Sequence, residues 1–152
     1  AKEKDLRHCL PDDVRMYTGD DFNYPELILG DGNLYSDALL GIFDGIAPAA
    51  CRALSLLAKG DEAGFLNILE PTVALSRHIF SSPTRYYKTG LVFLAYLNGW
   101  QDHYIMLGGA QSARSILHFS EIFRLADSSG LLEDADLALY RMKATLEVYG
   151  VV

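Results

Sequence analysis

Cysteine is nearly absent: Cys9 and Cys51 are the only two, and their spacing fits neither a metal site nor a disulfide framework. Reduced thiols in a cytoplasmic protein are the expectation. Basic residues are also scarce, 13 Lys and Arg against 20 Asp and Glu, for a net charge of −7. Nucleic acid and anionic membrane both need clustered cations, so neither is an expected partner. No apolar run reaches the length of a membrane span, and no basic N-terminus leads into a signal-type apolar core. Also missing are a Walker loop, a dinucleotide-binding glycine fingerprint, a nucleophile elbow and any Ser/His/Asp or Cys/His arrangement. These absences remove the common phosphate-binding and hydrolase classes.

What is present suits a globular domain. The chain has 152 residues, 50% of them hydrophobic and 22% charged, enough to bury roughly 70% of the unfolded surface. Residues 2–10 are charged and helix-prone and no Met precedes them, so they read as the tail of a helix already under way, in a fragment or a processed chain. Residues 14–18 read as a short buried strand and 24–29 as a helix that tolerates Pro25 in its first turn. The Gly-rich stretch 30–33 breaks that helix. Residues 37–43 fit a second strand, although Ala and Leu there also suit a helix. With both strands, the order is the βα alternation of a parallel sheet.

From Pro48 onward the pattern is helical. A helix over 49–59 stops at Gly60, and Asp61 caps the next, which runs through Phe65, Leu69 and Ile79 with a kink at Pro71. Residues 86–98 are apolar almost all round and should be buried. An amphipathic helix over 112–126 carries Ile116, Phe119, Ile122 and Phe123, and a last helix starts at Asp134 or Asp136 and runs to about Tyr149. Two strands cannot make a stable open sheet, so the first third reads as the end of something larger.

Asp20 and Asp21 are the first candidates for chemistry. Adjacent carboxylates after a strand and Gly19 either cap a helix N-terminus or sit at the mouth of an α/β site; spacing alone favours capping. Asp31, Asp37 and Asp44 lie nearby without ligand spacing, so a metal cage lacks its further oxygens. The stretch 43–48 is best read as a plain strand-to-helix turn, although its N–H groups could meet an anion. Among His8, His78, His103 and His118, only His103 stands apart, in the loop with Trp100, Gln101 and Asp102; packing is the simpler role. Lys88 reads as a first-turn lysine with its stem packed and its head in water, not as a nucleophile.

The order of these features resembles the C-terminal part of the dihydrodipicolinate synthase/N-acetylneuraminate lyase superfamily. The likeness is carried by Tyr17, Thr18, Gly19, Asp20 and Asp21, a helix to Gly30, a run to Phe43, a helix closing over 57–61, and Pro83 to Lys88 leading into the apolar helix and Asn98–Gly99. It covers about residues 6–99; residues 100–152 look like an uncharacterised aldolase-like branch, with 98–103 and 114–120 as its hallmarks. The resemblance implies an α/β fold: two βα units from the C-terminal portion of a TIM (β/α)8 barrel in residues 1–48, then a closing barrel helix and mainly α-helical extension in 49–152. Residues 14–18 would be the seventh strand and about 38–42 the eighth.

Family chemistry forms a Schiff base between a lysine and pyruvate or another 2-oxo acid, without metal or organic cofactor. The resemblance puts that lysine, and a proton-relaying tyrosine, upstream of Ala1, so no catalytic residue is expected in this chain. It assigns substrate binding to Gly19, beside the lysine, to Asp20 and Asp21, which would bond substrate hydroxyls, and to Leu39, whose backbone would face the lysine. Gly41 stands where lyases of this kind carry a hydroxyl residue, a departure that bears on sugar-acid specificity.

The expected function is therefore part of a class I aldolase or lyase-like protein acting on a 2-oxo acid, inactive alone. A homo-oligomer or a complementary N-terminal barrel fragment is the expected partner. Two alternatives stand beside it: a noncatalytic helical interaction or assembly domain, and a metal-dependent barrel enzyme using the Asp20–Asp21 pair.

Overall fold

A computed structural model describes residues 2–11, 13–32 and 34–151. Asn33, the last residue of the expected helix break, lies outside the described residues, as do Ala1, Asp12 and Val152. The chain divides into two compact units, residues 1–73 and 74–152.

In the first unit, helix α1 (Lys2–Arg7) precedes strand β1 (Tyr17–Thr18), helix α2 (Tyr24–Leu29) and strand β2 (Asp37–Ala38). Pro25 sits in the first turn of α2, where its missing N–H costs nothing, and the helix closes as the Gly30 N–H reaches the Glu26 carbonyl. The strands pair in parallel, Tyr17 opposite Asp37 and Thr18 opposite Ala38. Met16 accepts from the Asp37 amide at 2.8 Å and Thr18 from the Leu39 amide at 3.0 Å, which extends the ladder one bond at each end.

That short pair overturns the expectation of a TIM-barrel portion. Among the described residues 62% are helical, two short strands pair in parallel and no closed sheet forms, so the class is mainly helical. The expected strands over 14–18 and 38–42 shrink for local reasons. The Val14 amide turns back to the Pro11 carbonyl. After Leu39, Gly41 adopts helical angles and opens a 3-10 turn, Ile42–Asp44. The apolar residues expected to fill a strand are used instead as turn and core.

Helices α3 (Ala47–Leu57) and α4 (Glu62–Leu69) complete the unit and pack against each other. Gly60, at φ +81°, makes the reversal between them, a conformation that costs other residues a Cβ clash. Asp61 then caps α4, its Oδ1 accepting from the Gly64 amide at 2.8 Å. Pro71 lies in a 3-10 interruption, Glu70–Thr72, the break that its missing N–H and ring demand. Tyr24, Ile42, Ile46, Phe65 and Leu69 are buried in this core, and each side chain contributes about 2 kcal/mol by leaving water.

The second unit is helical among its described residues: α5 (Val73–Ile79), α6 (Tyr87–Leu97), α7 (Ile116–Ser128) and α8 (Ala135–Val148). Its core is aromatic. The Phe93 ring stacks on Phe119 at 4.5 Å and meets Tyr104 edge-on at 5.2 Å. Gly90 lets α6 approach closely, because an added Cβ would lie 3.0 Å from Ile79 and 3.1 Å from Ile122. Helix α6 is buried along Leu91, Phe93, Leu94 and Leu97, while Val92, Ala95 and Tyr96 are half-buried. On α7 the core face is Phe119 and Ile122 with His118 and Ala126, and Ile116 and Phe123 lie at its margin. Ser115 and Asp134 cap α7 and α8 by accepting from the His118 and Leu137 amides. Among the described residues no helix is long and apolar enough to cross a membrane.

Candidate functional site

The residues singled out in sequence meet at one corner, where β1 and β2 end. Gly19 follows β1 directly and lies against the segment after β2: a Cβ built on it would be 3.6 Å from the Leu39 carbonyl oxygen, an ordinary contact. The Leu39 amide is in the ladder and its side chain is 73% exposed. Asp20 and Asp21 then diverge. Asp20 is exposed, and its Oδ1 accepts from the Phe22 amide at 2.8 Å, which tightens the turn into α2. Asp21 is buried, and its Oδ1 accepts from the Ile42 amide at 2.9 Å. One carboxylate thus caps its own turn, and the other pins the end of β1 to the end of β2.

Environment separates the two further. Burial raises the Asp21 carboxyl above its ordinary value; the Ile42 hydrogen bond opposes this, and the charges of Asp20 and Asp44 add to it. Asp21 takes up a proton more readily than a free aspartate, while exposed Asp20 offers carboxylate oxygens to water or to a ligand hydroxyl. Tyr24, fully buried behind this corner, shares a hydrogen bond with Thr72 and meets Phe43 edge-on at 5.7 Å. Burial pushes its phenol up to about 12, so it stays neutral.

A polar network that sequence reading missed backs the corner. Arg7 is 6% exposed; its guanidinium donates to the Leu34 and Leu27 carbonyls at 3.0 and 2.7 Å, to Ser36 Oγ at 2.5 Å and to Glu3 Oε1 at 3.0 Å. Ser36 Oγ also donates to Glu3 Oε1 at 2.5 Å, and Thr18 Oγ1 donates to Glu3 Oε2 at 3.1 Å. The Asp20 amide in turn donates to Thr18 Oγ1 at 3.2 Å. Burial alone would raise the Glu3 carboxyl, but hydrogen bonds from Ser36, Arg7 and Thr18 outweigh it and hold the group below its ordinary value. The four-residue spacing of Glu3 and Arg7 was a legible helix ion pair; Ser36 and Thr18, distant in sequence, gave no such signal.

The other candidates lie elsewhere. Lys88 is exposed in the first turn of α6. His103 is exposed, and its Nδ1 accepts from the Ile105 amide at 3.2 Å. His78 and His118 stack at 4.1 Å, with His78 Nε2 against the His118 carbonyl oxygen. Burial, with the charges of His78 and Arg114, lowers His118 to about 4. Among the described residues no group of three or more His, Cys, Asp or Glu is placed to hold a metal ion. A cavity of about 460 Å³ opens at the other end of the strands, lined by Val14, Arg15, Met16, Tyr35 and Asp37, and includes none of the four candidates. Arg15 there pairs with Asp37 at 3.4 Å, so the cavity presents no surplus cation from that residue.

Residues 1–151 match the family profile described as "Protein of unknown function (DUF993)", and the chain belongs to that family. No protein of curated function matches the chain.

Proposed function

We propose that Gly19, Asp20, Asp21 and the Leu39 backbone form part of a binding site for a small 2-oxo acid, in a Schiff-base aldolase or lyase-like protein whose reactive lysine lies outside these residues. The observation that carries this reading is the convergence of all four at one polar corner, with Asp21 joining the two strand ends through the Ile42 amide at 2.9 Å. Each part has work suited to it. Asp20 accepts from substrate hydroxyls. Asp21, with its raised carboxyl, fixes the corner and tolerates a neighbouring anion better than an ordinary aspartate. Gly19 and the Leu39 carbonyl present bare backbone, so the nucleophile and the 2-oxo acid can approach closely.

In the reaction a neutral lysine amine attacks the ketone carbon, water leaves, and the resulting iminium accepts the electron pair released or supplied at the neighbouring carbon. No metal is needed for that step. A cytoplasmic setting and an oligomeric assembly complete the proposal; the free thiols of Cys9 and Cys51 suit the former.

The test is borohydride trapping of the complete protein with pyruvate and other 2-oxo acids, followed by peptide mass spectrometry. A reduced adduct on a single lysine is expected. Absence of any adduct with every 2-oxo acid tried overturns the reading.

The second unit favours another reading for itself, a helical interaction module. Ile105, Leu107 and Leu117 are 68%, 98% and 77% exposed, and Tyr140 and Val148 on α8 are exposed as well, large apolar side chains turned to solvent. Sedimentation of wild type against Leu117→Glu tests it; identical association states would remove its support.

A further inference from the structure

We propose that Glu3, on α1, is a positioning residue for the Asp20–Asp21 corner, acting through the Thr18 hydroxyl. The inference deepens the 2-oxo acid reading and rests on it for the ligand, but the coupling itself can be measured without one.

Direction of donation is the basis. An ionised carboxylate only accepts hydrogen bonds. Glu3 takes three kinds of donor: Ser36 Oγ and Arg7 Nη2 on Oε1, and Thr18 Oγ1 on Oε2. A hydroxyl has one proton. With that proton committed to Glu3 at 3.1 Å, the Thr18 oxygen can only accept from the Asp20 amide, and it does so at 3.2 Å. The chain of donation therefore runs from Asp20 N–H to Thr18 to Glu3, and it sets the backbone from which both aspartate side chains leave.

Burial makes the arrangement specific. Thr18 and Ser36 are 0% exposed and Arg7 is 6% exposed, while the Glu3 side chain keeps 21% of its surface open, so water reaches the carboxylate but not the side chains that donate to it. The charged group facing Glu3 is Arg7, four residues on along α1, and its guanidinium is also anchored to the Leu27 and Leu34 carbonyls on either side of the turn after α2. Glutamine cannot replace Glu3 quietly. Its amide nitrogen, turned toward Arg7, would set a donor against a donor; turned toward Thr18, it would reverse that bond, the hydroxyl then accepting from the amide and no longer donating to a carboxylate.

Two variants with two readouts test this on the full chain. In Glu3→Gln, hydrogen exchange at the Asp20 and Ile42 amides should speed up about tenfold, and the Asp21 carboxyl titration followed by NMR should shift. Distant amides such as Leu94 should keep their rates. Thr18→Val should reproduce both changes and Thr18→Ser should restore them, which a purely structural role for the methyl group would not do. This pair also serves if Glu3→Gln does not fold. Pyruvate, titrated by NMR, is the ligand probe, and its dissociation constant should rise about tenfold in Glu3→Gln and Thr18→Val. Faster Asp20 exchange with no binding of pyruvate, or of the other 2-oxo acids used in the trapping test, to any form would overturn the 2-oxo acid reading and leave the coupling standing. Unchanged Asp20 and Asp21 behaviour in folded Glu3→Gln, or in Thr18→Val, would overturn the coupling whether or not pyruvate binds.

Discussion

The two units use their buried polar groups differently. The first encloses polar groups, Arg7, Thr18, Asp21, Ser36 and Thr72, and joins its elements through directional bonds between them. The second buries polar groups too, Thr89, Asn98, His118 and Thr145 among them, but Thr89 and Thr145 bond to backbone carbonyls rather than to one another, around a cluster in which Phe93, Phe119 and half-buried Tyr104 lie within stacking or edge contact and Gly90 brings α6 close to Ile79 and Ile122. Apolar packing is strong but does not dictate orientation, whereas a buried network of donors and acceptors admits few arrangements. An orienting site belongs in the first kind of interior, and the candidate corner is found there.

Three substitutions or conditions sharpen that contrast. The largest effect is expected for Phe93→Ala, which empties the centre of the ring cluster and should cost about 4 kcal/mol. Urea denaturation followed by Trp100 fluorescence reads it, and a loss below 1 kcal/mol would mean that the rings are not the organising contact of the second unit. Next comes Arg7→Met, which keeps the aliphatic stem but removes the charge that faces Glu3 and the donors to the Leu27 and Leu34 carbonyls. It should cost about 3 kcal/mol and accelerate exchange at Leu39 and Asp20 first. Lysine should rescue poorly, because an ammonium cannot span the Leu27 and Leu34 carbonyls as a guanidinium does.

The smallest effect concerns pH. His118 is held neutral, its value lowered from 6.5 to about 4 by burial and by the charges of His78 and Arg114. The unfolded chain binds this proton more readily than the folded one, so the contribution is complete above pH 6.5 and is lost as pH falls toward about 4. A decline of at most about 3 kcal/mol across that window is expected, and His118→Phe should flatten it. An unchanged slope in that variant would place the acid sensitivity elsewhere.

Local chemistry made much of the helical framework legible. Pro25 announced the start of α2, Gly60 and Asp61 the reversal between α3 and α4, and Pro71 the interruption before α5, because each acts through its own backbone. The strand ends were less so. Leu39 to Ile42 has the composition of a buried strand, but the Ile42 amide turns to Asp21, a partner distant in sequence. The apparent helix start near residue 112 slipped for a related reason: residues Leu107–Ala113 form 3-10 turns around Gly108 and Gly109, and Ser115 supplies the cap. At the candidate site, neither aspartate caps α2, whose N-cap position is Asn23. Asp20 caps a turn, Asp21 caps the 3-10 turn after β2, and both still stand where the strands end. The link between Glu3 and Thr18 escaped notice because its meaning lies in who donates to whom.

The turn at Leu107 has a practical side. Its side chain is 98% exposed, and Gly108 and Gly109 follow at φ +66° and +72° with open space around both. The neighbouring chain is tied down separately, by Gln111 to the Met106 amide and by Thr89 to the Ala110 carbonyl. Extra residues placed between Leu107 and Gly109 interrupt the first 3-10 turn of this segment, with its Gly109 to Met106 backbone hydrogen bond. That makes the tip a natural port for a fluorophore or an affinity handle, through which the chain can be immobilised with the Asp20–Asp21 corner left chemically untouched.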